Sequence, residues 1–333
     1  MPPSMSPALL IKGYHRFVLA SDGLVIASSA AVESGSVRVA REWLRSLGKD
    51  LWTVAPLEDV PARATAKVPG SEAPQHADED AKILGFLDDM HAKHGDRSVI
   101  FVRAALPLSF RGSQKSQLAF GTQFYPADPA KLHAFIEAVL ASGTPLLWAH
   151  AAKSAHVPEA LARKIAASGL GYHTAWVPQR AVLRHAATGW FVSHGGWNSV
   201  QEALSLRVPM CVPLSNAPTR WLTGSRIMWP FASDQPANAA VLSVVHGAAL
   251  ELFSVRTGAG ARQPLRREGA DVVDFSEDGV RRETRELLVK LKNLEGMRVR
   301  ENALRLGAEL ERAWEKGGEA DVGLNDFLGR VLA

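Results

Sequence analysis

The chain has 333 residues and a single cysteine, Cys211, so no internal disulfide is possible. That fits a reducing compartment. It has no run of about 18 apolar residues, so no membrane-spanning helix is expected. Residues 1–7 show no basic segment leading into an apolar core, so no secretory leader is expected and the reading is a cytoplasmic protein. Charge of one sign is not in excess: 38 basic residues stand against 34 acidic ones, a formal net charge of +4, and no basic run is long enough to track a phosphate backbone. Nucleic acid is therefore not an expected partner.

Other chemistries are missing as well. There is no Gly-x-Ser-x-Gly elbow for serine hydrolysis. Gly258 and Gly260 have no phosphate-loop pattern around them. His91 and His94 stand one helical turn apart, a spacing metals can use. With no third ligand nearby in sequence they read as a solvated helix face, and no metal is expected. No helical-array repeat is present.

What remains is an ordinary globular composition, 47% hydrophobic and 22% charged. The length allows one large domain or two ordinary ones. Residues 17–20, 24–27 and 51–54 read as short strands. Residues 37–47 read as a helix, with Val37, Ala40, Trp43 and Leu44 near helical spacing. The stretch 57–97, rich in Pro, Ala and acidic residues, suits a linker carrying one helix at 81–94.

From residue 98 onward strands and helices alternate. Strands are expected at 99–102, 145–149, 174–177, 189–193, 208–212 and 250–255. Helices are expected at 129–142, 158–167, 179–185, 197–206 and 236–249. In the first of these, Leu132, Phe135, Ile136, Val139 and Leu140 form one stripe, Pro129 starts the helix and Gly143 ends it. This alternation implies an α/β fold with a parallel sheet covered on both faces. The tail, 279–333, reads as amphipathic helices, with Leu306, Leu310, Ala313 and Trp314 in one apolar stripe.

The candidate site lies in 176–235. It contains Trp176-Val177-Pro178-Gln179, His194-Gly195-Gly196-Trp197-Asn198-Ser199, Glu202 and Asp234-Gln235. His194 ends an expected strand, and the two glycines open the next helix. A helix N-terminus offers unpaired N–H groups and partial positive charge, which suits a diphosphate. Glycine lets the backbone approach it closely. Asn198, Ser199 and Glu202 share one helix face, while Val200, Ala203 and Leu204 form the opposite, apolar face.

In order and spacing these residues resemble the nucleotide-sugar box of the family-1 glycosyltransferases, the UDP-glycosyltransferases. The resemblance implies a GT-B type fold. Its Rossmann-like donor domain would span 98–333 with a helical tail, after a linker at 61–97 and a remnant of the N-terminal acceptor domain at 1–60. It implies that Trp176 stacks on uracil and the Val177 backbone pairs with its edge. Gln179 and Glu202 would bind the ribose. His194, Asn198 and Ser199 would bind the phosphates, with Gly196 in the turn, and Trp197, Asp234 and Gln235 would contact the sugar. Ala119-Phe120-Gly121-Thr122 looks like the family's glycine loop, which adds Gly121 and Thr122 to the donor site. Val255-Arg256-Thr257-Gly258 and the helical tail look like fungal members.

The implied reaction is inverting transfer of a hexose from a UDP-sugar to a hydroxyl of a small lipophilic acceptor. The terminal Gln235 leans towards glucose. The UDP-sugar is a co-substrate, and neither cofactor nor metal is expected. The family's catalytic base is a histidine near the start of the acceptor domain, most of which is absent here. His15 lies too near the end of the remnant to match and reads as solvent-exposed, so the catalytic residue is unassigned. The alternative is a non-catalytic UDP-sugar-binding module, or a subunit whose partner chain supplies the acceptor half. A third reading is a degenerate fragment with no stable function.

Two stretches depart from the family spacing, 102–117 and 212–227. Each has sixteen residues, begins with Val, contains Pro-Leu-Ser and lacks any acidic residue. The expectation is that both are translated introns. A transcript joining Phe101 to Leu118 and Cys211 to Met228 would support this, and one carrying both would make them surface loops.

Overall fold

The structure is a computed structural model and describes residues 7–56, 77–103, 128–150, 157–205, 208–209, 221–222, 225–230, 234–257 and 273–332. The chain divides into two units, Met1–Ala64 with Ala308–Ala333, and Thr65–Gly307. The first begins with helix α1 (Pro7–Ala20), strand β1 (Gly23–Ile26), helix α2 (Ala30–Ser46) and strand β2 (Asp50–Thr53). Next come α3 (Ala77–His94), β3 (Val99–Arg103), α4 (Pro129–Ala141), β4 (Leu146–Ala149), α5 (Glu159–Ser168) and β5 (Gly171–Thr174). These lead to α6 (Gln179–Arg184), β6 (Thr188–Ser193), α7 (Trp197–Ser205), β7 (Val208–Pro209), β8 (Trp221–Leu222) and β9 (Ser225–Met228). The series closes with α8 (Gln235–Ala240), a π-helical turn at Val241–Val245, β10 (Ala249–Glu251), α9 (Glu277–Lys292), α10 (Leu294–Arg312) and α11 (Glu319–Val331).

In the first unit β1 and β2 pair in parallel, and Val18, Leu44 and Leu51 form a small core. Residues 17–20, expected as a strand, end helix α1 instead. A four-residue apolar run carries no period of its own, and here it continues a helix begun at Pro7. The last helix belongs to this unit. From α11, Glu319 accepts hydrogen bonds from Ser29 Oγ at 2.9 Å, the Ala30 N–H at 2.9 Å and Thr53 Oγ1 at 2.8 Å, so one carboxylate ties the start of α2 to the end of β2. The tail is thus shared between the units rather than held whole by the 98–333 domain of the sequence reading. In the same way, α3 from the expected linker contributes Ile83, Leu87 and Met90 to the core of the second unit.

The second unit is built on a six-stranded parallel sheet in the order β10-β9-β6-β3-β4-β5. Counted along the chain, the order runs outward from β3 through β4 and β5, then restarts at β6 on the other side. Residues of β3, β4 and β6 are buried almost throughout, as parallel strands covered on both faces must be. Side chains alternate between two cores. Ile100, Val102, Trp148, Trp190, Val192 and Ile227 pack towards Phe135 and Leu288. Val99, Phe101, Leu147 and Phe191 pack towards Leu87, Val182 and Ala203. Helix α4 starts as the sequence implies: the Asp128 side chain accepts the Ala130 N–H at 3.1 Å with Pro129 in the first turn, and Gly143 beyond its end has φ +72°.

The fifth strand of this sheet differs from expectation. Residues 208–212 were expected there, yet Val208–Pro209 pairs antiparallel with Trp221–Leu222. The strand bonded between β6 and β10 is Ser225–Met228, whose first three residues belong to the stretch 212–227. Likewise Val102 and Arg103, the first two residues of the stretch 102–117, complete β3 and pair with β4. Both stretches therefore contribute to the sheet at an end, and the surface-loop alternative does not describe those residues. The remainder of 102–117, and 212–220 with 223–224, lie outside the described residues.

Candidate functional site

In an open sheet of this order, ligands bind beyond the carboxyl ends of the strands where the order reverses. Here that point lies between β3 and β6. β3 ends at Arg103, and β6 ends at Ser193 with His194 immediately after it. The Gln179 carboxamide oxygen at the start of α6 accepts a hydrogen bond from the Arg103 guanidinium. Arginine only donates, so this contact fixes which way the amide faces. His194 is held below its ordinary pKa by burial first and by the nearby Arg103 charge second, while Asp234 pulls it the other way. Arg103, Gln179, His194 and Asp234 thus converge at one end of the sheet from four separate segments.

The turn between β6 and α7 is tightly built. Gly195 has φ +82°, and a Cβ there would stand 2.6 Å from Met228 Cε. A Cβ on Gly196 would stand 2.4 Å from His194 Nε2. Gly196 O accepts the Val200 N–H at 3.0 Å, which starts α7 beside the histidine ring. As expected, Val200, Ala203 and Leu204 are buried against the sheet, while Asn198 is exposed and Ser199 is half-buried. Asn238 locks the turn to the next segment. Its Nδ2 donates to Gly195 O at 2.9 Å and to Asp234 Oδ2 at 2.8 Å.

Trp176 follows β5 and is 46% exposed, which leaves an indole at the surface, while its neighbour Val177 is buried. Its ring is held at the edge: Nε1 donates to Asp80 Oδ1 at 3.0 Å. Beside it, Glu79 accepts from Thr174 Oγ1 at 2.8 Å and Tyr172 OH at 3.1 Å, and these bonds lower the Glu79 pKa. Gln235 is buried, Asp234 is exposed and Trp197 is half-buried. Glu202 stands in α7, but its side chain lies outside the description, as do Gly121 and Thr122. Among the described residues no group of three metal-ligating side chains occurs, and His91 instead meets Asp96 at 2.6 Å.

The sequence profile of the family described as "UDP-glucoronosyl and UDP-glucosyl transferase" matches residues 116–259. That span contains every one of the thirteen residues assigned above to the donor site. Over those residues the chain is similar to the UDP-glycosyltransferase family.

Among curated UDP-glycosyltransferases, eriJ from the fungus Hericium erinaceus is 29% identical over 336 residues, covering 98% of this chain and 58% of that protein. The indole-3-acetate beta-glucosyltransferase of Zea mays is 35% identical over 185 residues, covering 55% of this chain and 32% of the relative. The chain therefore spans little more than half the length of the fungal relative. Among solved structures, Medicago truncatula UGT71G1 complexed with UDP-glucose matches with a TM-score of 0.64 at 20% identity, covering 98% of this chain and 57% of that one. A UGT transferase from Siraitia grosvenorii in complex with UDP matches with a TM-score of 0.64 at 21% identity, covering 98% and 63%. These likenesses show a GT-B type α/β fold. No helix among the described residues is long and apolar enough to cross a membrane.

Sequence reasoning missed four residues at this site: Asn238, Arg103, Glu79 and Asp80. Asn238 lies four residues after Asp234, so the pair was readable as one helical turn. Arg103 was set aside inside an interruption. Glu79 and Asp80 lie more than ninety residues from their partners in the 172–176 segment, a pairing no local pattern reveals.

Proposed function

We propose that this chain provides the donor site of an inverting glycosyl transfer from a UDP-sugar, with glucose as the hexose, to a hydroxyl of a small lipophilic acceptor. The supporting observation is the meeting of His194, the α7 N-terminus, Arg103 and Gln179 at the reversal point of the sheet. The acceptor oxygen attacks the anomeric carbon from the face opposite UDP, and the bond from that carbon to the diphosphate oxygen breaks. The acceptor proton passes to a base not assigned to any residue here. Charge growing on UDP is met by backbone N–H groups of α7, by His194 and by Arg103, so the reading requires no cofactor or metal. Trp176 offers a face for uracil.

Calorimetric titration with UDP-glucose tests the reading. The chain as it stands is expected to bind, and Glu202→Ala to bind about tenfold more weakly through loss of a charged ribose contact. An absence of binding by the unaltered, folded chain would remove the reading. Arg103→Ala is expected to weaken UDP-glucose about tenfold and uridine hardly at all, since the guanidinium meets the diphosphate. Equal losses for both ligands would instead make Arg103 a support for Gln179 alone.

A second reading keeps the donor site and assigns the acceptor half to a partner chain. It is favoured by the first unit, whose two strands pair only with each other among the described residues, and where Tyr14, Phe17 and Trp43 are exposed. A two-stranded sheet is marginal alone and its edges invite pairing. Binding of UDP-glucose without transfer to any of a panel of acceptors would support this reading, and turnover by the isolated chain would overturn it.

A further inference from the structure

At the opposite, amino-terminal end of the six-stranded sheet lies a cavity of about 470 Å³ that the donor site does not use. Its polar wall is built from Arg97, Arg300, Lys292, His94 and Asp96. Asp96, the only carboxylate among the described residues of that wall, meets His91 Nε2 at 2.6 Å. Arg97, Arg300 and the exposed Lys292 thus bring three basic groups to one wall of the cavity. Leu288, Leu291 and Met297 supply an apolar side.

The two arginines are held where their charges oppose each other. Arg300 lies over the Trp190 ring, 4.7 Å from its centroid, and its Nε is buried with no hydrogen-bond partner among the described residues. Burial, and then the Arg97 charge, push the Arg300 guanidinium down to about 10. Arg97 is the only non-glycine residue with positive φ among the described residues, at +57°. Its N–H donates to Ala186 O at 2.9 Å, and a Cβ on Gly189 would stand 2.0 Å from its carbonyl oxygen, so β6 is pressed against it. Strained backbone, a desolvated cation and a like-charged neighbour around one cavity are costs that a bound anion offsets.

We propose that this cavity binds a small phosphomonoester with an apolar body, its phosphate held by Arg97, Arg300 and Lys292 and its body against Leu288, Leu291 and Met297. The site is separate from the donor cleft and does not depend on the reading given for it. Phenyl phosphate titrated into the full chain by calorimetry is the test, with inorganic phosphate and benzyl alcohol alongside. Phenyl phosphate is expected to bind more tightly than phosphate, benzyl alcohol not to bind, and added salt to weaken the binding. Affinity is expected to be kept in His194→Ala and to fall about tenfold in Arg300→Gln and severalfold in Lys292→Gln. If Arg300→Gln does not fold, the exposed Lys292 decides the matter. No binding by the unaltered chain, or loss in His194→Ala with no change in the cavity variants, would overturn the site and leave the arginines as supports for nearby helix ends.

Discussion

Replacing Arg226 with methionine stabilises the second unit by about 3 kcal/mol, read as a higher denaturant midpoint at pH 7. Arg226 lies in β9, opposite Phe191 of β6 and Ala249 of β10, and is 2% exposed. Its NH2 group donates to Val200 O at 2.8 Å, while Nε and NH1 are buried without a hydrogen-bond partner among the described residues. Burial pushes the guanidinium down to about 9. The unfolded chain holds this proton more tightly, so the penalty is full below about pH 9 and shrinks only above it. The gain from Arg226→Met is therefore expected to be flat from about pH 5 to about pH 8. The lost bond to Val200 O returns about 1 kcal/mol of that gain, which is included in the figure.

The same argument applies to the whole stretch 212–227. Deleting it joins Cys211 to Met228, and Pro209-Met210-Cys211 then precedes Met228 just as Ser225-Arg226-Ile227 does now. Met210 would take the place of Arg226 and Cys211 that of Ile227, both apolar, with proline at the first strand position, where it is tolerated. The deletion is expected to stabilise at least as much as Arg226→Met. If either change lowers the midpoint, 212–227 is native to this sheet and its origin as a translated intron loses its physical support.

Much of the second unit was legible because its signals are local. Helix α4 carries its own cap, stripe and glycine stop, and the uninterrupted apolar runs at 99–102 and 189–193 mark strands buried on both faces. The turn at His194-Gly195-Gly196 was legible for the same reason, since glycine next to a strand end has few other uses. The rest depends on partners distant in the chain. Residues 17–20 are as apolar as a strand and became helical through what precedes them. Residues 208–212 suit the sheet better than 225–228 by composition, yet the later segment took the place, and the buried arginine is the mark of that substitution. Arg103 became visible only when β3 and β6 lay side by side.

Gly196→Ala is expected to weaken UDP-glucose binding by about a hundredfold or more with little change in the unfolding midpoint, because it acts on His194 rather than on the fold. The added methyl would lie 2.4 Å from His194 Nε2, so the ring must swing out of the position it shares with the α7 N-terminus. Gly195→Ala is the contrasting variant: its φ of +82° and the 2.6 Å approach to Met228 make it destabilising by about 2 kcal/mol. The protonation of His194 gives an independent readout. Burial and Arg103 set its pKa below 6.5 in the folded chain. The unfolded chain thus takes up a proton first, and the stability held above pH 6.5 is lost as pH falls through the folded value. A diphosphate beside the ring favours the imidazolium and draws the pKa back up. Binding of UDP-glucose, whose diphosphate does not titrate near pH 6, is therefore expected to take up protons at about pH 6, and to tighten as pH falls from about 7 to about 6. Calorimetry in buffers of different ionisation enthalpy measures the uptake, and His194→Ala should abolish it. Tight binding at pH 6 with no uptake would place the diphosphate away from His194 and undo the assignment of that end of the sheet to the leaving group.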